Sequence, residues 1–69
     1  MTTEKPAHVQ RMIDEHEQLS DRTGKLHEFI DRSPIFLGLA PDDQALMRAQ
    51  FGAMTSYLCV LGMRIERVG

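Results

Sequence analysis

The sequence predicts an all-α fold, an antiparallel two-helix hairpin that assembles with copies of itself into a homo-oligomeric helical bundle. Three observations lead there. Apolar residues recur at alternating steps of three and four along both halves of the chain, the spacing of a helical stripe. Pro34 and Pro41 separate two such runs of nearly equal length, the pattern of two helices joined by a short connection. From Ala49 to Met63 no Asp, Glu, Lys, Arg or His occurs, which leaves more apolar surface than one partner helix can cover.

Helix 1 is expected over about 5–32. Pro6 suits a first helical turn, where its fixed φ fits and its missing N–H is no loss, and Thr2, Thr3 and Glu4 ahead of it offer capping or dipole-compatible groups. Val9, Met12, His16, Leu19, Thr23, Leu26 and Ile30 form its apolar stripe, widened by Ile13 and Phe29. The opposite face, with Arg11, Asp14, Glu15, Gln18, Asp21, Arg22, Lys25 and Glu28, is a mixed-sign solvated surface. Gly24 weakens the helix by about 1 kcal/mol relative to alanine and marks either a close approach or a bend.

Ser33-Pro34 ends helix 1, because the residue before a proline is pushed out of the α region. The connection, 33–40, holds Ile35, Phe36, Leu37 and Leu39, too apolar for a free loop, so it is expected to fold over one end of the helices as a plug. Helix 2 is expected over about 41–67, opened by Pro41 and by Asp42 and Asp43 at its positive end, with Ala40 a poor cap. Met47, Phe51, Met54, Leu58, Leu61, Ile65 and Val68 form a heptad seam along it. Ala45, Ala49, Gly52, Ser56, Cys59 and Met63 repeat the same steps roughly 140 to 180° away, at about 100° per residue. Small side chains let another helix backbone come close, and a helix apolar on opposite sides needs cover on both.

One domain, 1–69, is all that 69 residues provide, and a core of that size usually needs disulfides, metal or self-association beside it. Cys59 is the single cysteine, so an intrachain disulfide and a Cys-rich zinc site are excluded, and it reads as a small buried hydrophobe. Self-association is left as the supplement. Across the hairpin, partners are expected at numbers summing to roughly 73, with His16 opposite Tyr57 and Thr23 opposite Gln50. Such paired polar layers fix register, since buried polar groups need partners.

A formal charge of −2 argues against a sequence-independent DNA or RNA binder, although the C-terminal end, with Arg64, Glu66 and Arg67, is locally basic. The charge-free stretch covers roughly 22 Å as a helix, short of a membrane span, and Gln50, Thr55, Ser56 and Tyr57 interrupt it. With a polar N-terminus and no disulfide framework, the chain reads as cytoplasmic. His27 and Asp31 share a helix face at i, i+4, and His8 and His16 are wheel neighbours, but no further ligand motif follows; neither metal nor cofactor is expected. Glycine-rich phosphate loops and nucleophile elbows are missing, so the sequence reads as that of a non-enzyme.

Gln50, Tyr57 and Arg64 are spaced by seven and seven, stacked along one edge of helix 2 about 10.5 Å apart. They place an amide, a phenol and a guanidinium in line, able to read an amide-like edge, stack on a ring and grip a phosphate or carboxylate. A structural role competes with this one, in which Gln50 and Tyr57 serve the polar layers and Arg64 pairs with an acid such as Glu4 or one on another chain. In an oligomer both hold at once, because symmetry gathers copies of the row and creates concave sites between chains.

The pattern QxxxMxxYxxVLxxRI from Gln50, with upstream KPAHVQRMIDE, a mid-chain KLxxFI and a central SPIF, resembles the small helical-hairpin proteins of tailed phages, including those related to proteins of crAss-like phages. The resemblance covers nearly the whole chain; Gly24 and Ala40 depart from it, and its ending is intact. In size and style the chain is also similar to phage sponges that sequester nucleotide signals of the CBASS and Thoeris defence systems. That similarity implies a homo-oligomer acting in the cytoplasm of an infected host cell. Its partner would be a small anionic nucleotide, such as a cyclic oligonucleotide or cyclic ADP-ribose, with Gln50, Tyr57 and Arg64 as ligand-binding residues. The alternative is a helical interaction module acting on a host or phage protein.

Overall fold

The computed structural model describes residues 6–68. Within them the chain forms α1 (Ala7–Arg32), a short α2 (Pro34–Leu37) and α3 (Pro41–Val68), and among the described residues no strand occurs. α1 and α3 pack antiparallel as a helical hairpin.

Local chemistry accounts for each boundary. Pro6, extended at φ −54° and ψ 151°, precedes the first turn of α1, and its carbonyl accepts from the amides of Val9 and Gln10 at 3.0 and 3.1 Å. No side chain caps this end; Thr2, Thr3 and Glu4, expected to do so, lie outside the described residues. Ser33 adopts φ −80° and ψ 126°, the extended conformation forced on a residue before proline, and its amide closes α1 on the Phe29 carbonyl at 3.1 Å. Its hydroxyl then accepts from the Ile35 amide at 3.2 Å, capping α2. Gln44 completes the connection, since its Nε2 donates to the carbonyls of Leu37 and Leu39 at 3.3 and 3.0 Å.

Phe36 plugs the closed end of the hairpin. Its ring is fully buried, meets Phe29 edge-on at 6.1 Å, and lies under the Arg48 guanidinium at 5.1 Å. The rest of the connection is less covered than its composition suggests: Ile35 and Leu37 stand 68% and 75% exposed, because a one-turn helix can turn only one side inward.

Along the helices, the covered residues of α1 are those of its apolar stripe, and the mixed-sign face is exposed throughout. On α3, Met47, Phe51, Met54, Leu58, Leu61 and Ile65 are covered, while Val68 at the open end is exposed. Among the described residues the buried apolar side chains are few: Val9, Leu19, Phe36 and Leu61. Each contributes roughly 1.5 to 3 kcal/mol by burial, a thin core for two helices of this length. The second face of α3, Ala45, Ala49, Gly52, Ser56, Cys59 and Met63, faces solvent. Cys59 is therefore exposed within the hairpin and not the buried hydrophobe expected, because it lies on the side of α3 turned away from α1.

The register differs from the expected one. His16 packs beside Gly62, where an added Cβ would come within 3.5 Å of its Nε2, and the His27 ring stacks on Phe51 at 5.1 Å, so these partners sum to 78, while the flank contact of Tyr57 with Glu15 sums to 72. No hydrogen bond joins His16 to Tyr57 or Thr23 to Gln50; Tyr57 bonds instead to Glu15, next to His16, and Thr23 to Leu19. Two physical reasons combine. Phe36 and α2 occupy the closed end, so that α3 begins beyond the last turn of α1 and is displaced by about a turn and a half along it. Thr23 also needs no cross-helix partner, since its hydroxyl donates to the Leu19 carbonyl of its own helix at 2.6 Å.

Candidate functional site

α3 presents the candidate residues. It runs unbroken from Pro41 to Val68, and its one mid-helix threonine in a hydrogen bond, Thr55, donates back to the Phe51 carbonyl at 2.9 Å without interrupting the ladder. Residues seven apart drift only about 20° around such a helix, so Gln50, Tyr57 and Arg64 share an edge. All three are exposed in the hairpin.

Their surroundings differ. The Gln50 amide makes no hydrogen bond with Thr23; its Nε2 lies 3.9 Å from Met54 Sδ on its own helix, a weak interaction. Tyr57, 44% exposed, sits one position before the seam residue Leu58, at the flank of the helix interface. From there its hydroxyl donates to Oε2 of Glu15 on α1. Among the described residues this is the one side-chain hydrogen bond that crosses from α1 to α3. Arg64 follows two turns later, and among the described residues no carboxylate forms an ion pair with it; Glu4, its candidate structural partner, lies outside them.

Glu15 also sets the protonation of the phenol. Its hydrogen bond raises the Tyr57 pKa above the ordinary 10.0, partial desolvation and the carboxylate charge add to this, and the positive Arg64 opposes it. A phenol held protonated at neutral pH is a hydrogen-bond donor and a stacking surface; it is not a nucleophile. Tyr57 and Arg64 thus belong to one electrostatic neighbourhood, whereas Gln50 stands about 10.5 Å from Tyr57 along the axis.

Glu15 was not legible as part of this group, because it lies in the charged face of α1, where eight polar side chains look alike. The signal for it is the position of Tyr57 just off the seam, which aims a long aromatic side chain at the flank of the facing helix and not into the core.

Concave surface on the hairpin lies elsewhere. One open groove of about 370 Å³ is lined by Ile13, His16, Glu17, Gly62, Ile65 and Glu66, and another of about 360 Å³ includes Lys25, Phe29 and Arg32 at the closed end. Neither contains Gln50, Tyr57 or Arg64. On the single chain the row lies exposed outside both grooves. Beside it run Leu46, Val60 and Met63, each half or more exposed, together with the small residues of the second α3 face. No described helix is long and apolar enough to cross a membrane.

A family model described as Sequestin matches residues 6–67, which takes in α1, the connection, all of α3 but its last residue, and every residue of the row. Comparison with curated proteins and with solved structures gives no match.

Proposed function

We propose that this chain, which belongs to the Sequestin family, is a non-enzymatic, phage-encoded oligomer that sequesters a nucleotide immune second messenger in pockets between its subunits. The family name speaks for sequestration. The observation that carries the nucleotide reading is the exposure of Gln50, Tyr57 and Arg64 on a ridge beside an uncovered apolar face. When a second copy covers that face, the ridge becomes a pocket wall with an amide, a protonated phenol and a guanidinium along it. Those groups suit a small anionic nucleotide: the guanidinium grips a phosphate, the ring stacks on a base, and the amide reads a polar edge. The protein acts in the cytoplasm of the infected host, without cofactor and without DNA or RNA.

The row is tested through Arg64. Removing an exposed charge alters stability by ~0 to 1 kcal/mol, while losing a charge-assisted hydrogen bond to phosphate weakens binding by roughly 1.5 to 3 kcal/mol. Arg64→Ala should leave the melting temperature and assembly almost unchanged and weaken nucleotide capture about tenfold to hundredfold. Tyr57→Ala should reduce both capture and stability, because its ring also packs. Undiminished capture by Arg64→Ala removes Arg64 from the site; an unfolded Arg64→Ala makes the row structural.

A second reading has its own support. Leu46, Val60 and Met63 form apolar surface of the kind that binds a partner helix, so the chain serves as an interaction module for a host or phage protein if no nucleotide binds.

A further inference from the structure

α3 carries a second line of side chains that the hairpin leaves in solvent. It runs from Asp42 to Arg67 at alternating steps of four and three, roughly 150° around the helix from the seam that packs on α1, and every residue on it is exposed. Between its two charged ends the line takes in Leu46, Val60 and Met63, each half or more exposed, and the small residues Ala49, Ala53 and Ser56. Their order is symmetrical about the midpoint between Met54 and Thr55. Reversing the line end for end sets Asp42 against Arg67, Leu46 against Met63, Ala49 against Val60, and Ala53 against Ser56. We infer that this line is the contact between two copies of the chain, which pair antiparallel through α3 about a two-fold axis at that midpoint. The inference deepens the proposed function, on whose oligomeric part it rests, by naming the surface, direction and register of assembly; it does not depend on the ligand.

Each pairing is matched in size. The central layer, Ala53 on Ser56, has only small side chains, so the two helix axes can approach to the short end of the usual separation of about 8 to 10 Å. Farther out, Val60 fills the space left over Ala49, and Leu46 meets Met63, whose unbranched side chain adapts to the contact. No charge lies on the line between its ends, so the layer desolvates without stranding one.

The ends supply charge complementarity, which fixes the direction. Asp42 and Arg67 stand about 37 Å apart on one helix, too far to meet within a chain, and among the described residues neither forms an ion pair. Reversal of a second copy brings them together, and two-fold symmetry does so at both ends. A parallel pair would set Asp42 on Asp42 and Arg67 on Arg67 and align the helix dipoles. The antiparallel pair instead lays the positive first turn of each α3 beside the negative last turn of the other. None of the residues lining the two grooves belongs to the line, so pairing leaves both open.

The test places cysteines on the line in the full chain, after Cys59→Ser removes the native thiol. Ala49→Cys with Val60→Cys should form a covalent dimer on mild oxidation, because the two positions face each other across the pair. Within one chain they stand about 16 Å apart, beyond the reach of a disulfide. Either cysteine alone should give no crosslink, since antiparallel pairing also separates each from its own copy by about 16 Å; a parallel pair would crosslink both single variants. Sedimentation velocity and circular dichroism under reducing conditions report assembly and folding apart from the crosslink. Charge reversal gives a readout that needs no cysteine. Asp42→Arg or Arg67→Asp alone should raise the dissociation constant by about twofold to thirtyfold, as two weak exposed pairs turn repulsive, and the two substitutions together should restore it. Three results overturn the antiparallel register and leave an oligomeric sponge standing: crosslinking of either single-cysteine variant, a two-cysteine variant that assembles but stays uncrosslinked, or a doubly charge-reversed variant that assembles no better than the single ones. A wild type that sediments as a monomer overturns both.

Discussion

Replacing Gly52 with leucine separates a lone hairpin from an assembled one by the sign of its effect. Gly52 lies in mid-helix on the small-residue face of α3, and a Cβ added there meets nothing within 4 Å. In an isolated chain the substitution has only a helix-propensity consequence, and leucine is favoured over glycine by about 0.8 kcal/mol, so the hairpin should become more stable. If a second copy packs on this face, the added side chain instead enters a close helix contact. Overpacking of that kind costs about 1 to 3 kcal/mol per site, and a two-fold interface takes it twice. The pair of insults amounts to about 2 to 6 kcal/mol, which raises the dissociation constant by at least about thirtyfold. Gly24 supplies the calibration: it too has nothing within 4 Å of an added Cβ, and it sits on the exposed side of α1. Gly24→Ala should therefore stabilise the protein by about 1 kcal/mol in either case. Sedimentation velocity over a dilution series, with urea denaturation alongside, reads both quantities. The expected outcome is a wild-type oligomer, an assembled and more stable Gly24→Ala, and a Gly52→Leu that dissociates at concentrations where the wild type does not. A folded wild-type monomer whose urea midpoint rises in Gly52→Leu as it does in Gly24→Ala would refute the reasoning.

Three further outcomes follow from the hairpin itself. Phe36→Ala should cost roughly 3 to 5 kcal/mol, since the ring is fully buried against Phe29 and Arg48, while Leu37→Ala, 75% exposed, should stay within about 0.5 kcal/mol; urea denaturation compares the two. Tyr57 is the sole tyrosine and there is no tryptophan, so phenolate absorbance titrates this one group: its midpoint should lie above 10.0 and fall in Glu15→Gln. Because the folded chain holds that proton more tightly than the unfolded chain, the associated stability is complete below pH 10.0 and lost as pH rises through the raised folded value. Thr23→Val and Gln50→Leu should be additive to within about 0.5 kcal/mol in a double-mutant cycle, as Thr23 bonds to Leu19 and Gln50 lies exposed.

The elements and their inward faces were readable because each depends on local chemistry. A stripe at steps of three and four identifies the covered side of α1 from Val9 to Ile30 whatever it packs against, and Ser33-Pro34 ends the helix by a clash between neighbours. Register was not readable, because it depends on how much space the connection occupies. Phe36 folded under the hairpin end shifts the pairings of His16 and His27 along α3, and counting residues across a bare loop cannot anticipate a buried ring. The buried-polar argument failed at Thr23 for a related reason, in that a short hydroxyl finds its acceptor one turn back on its own helix. At the candidate site the spacing of Gln50, Tyr57 and Arg64 was legible from helical periodicity alone. Glu15 was not, since its role arises from a contact between residues 42 positions apart.

Sequestration itself is tested most directly by recovering the ligand. The purified protein is incubated with a mixture of cyclic dinucleotides, cyclic trinucleotides and cyclic ADP-ribose isomers, freed of unbound nucleotide, denatured by heat, and the released material is identified by chromatography and mass. The account predicts that at least one nucleotide is depleted before denaturation and returns chemically unchanged afterwards, in proportion to the protein present. Depletion followed by release of an altered product would show an enzyme in place of a sponge. No depletion of any nucleotide would contradict the account and leave the apolar surface of α3 to a protein partner.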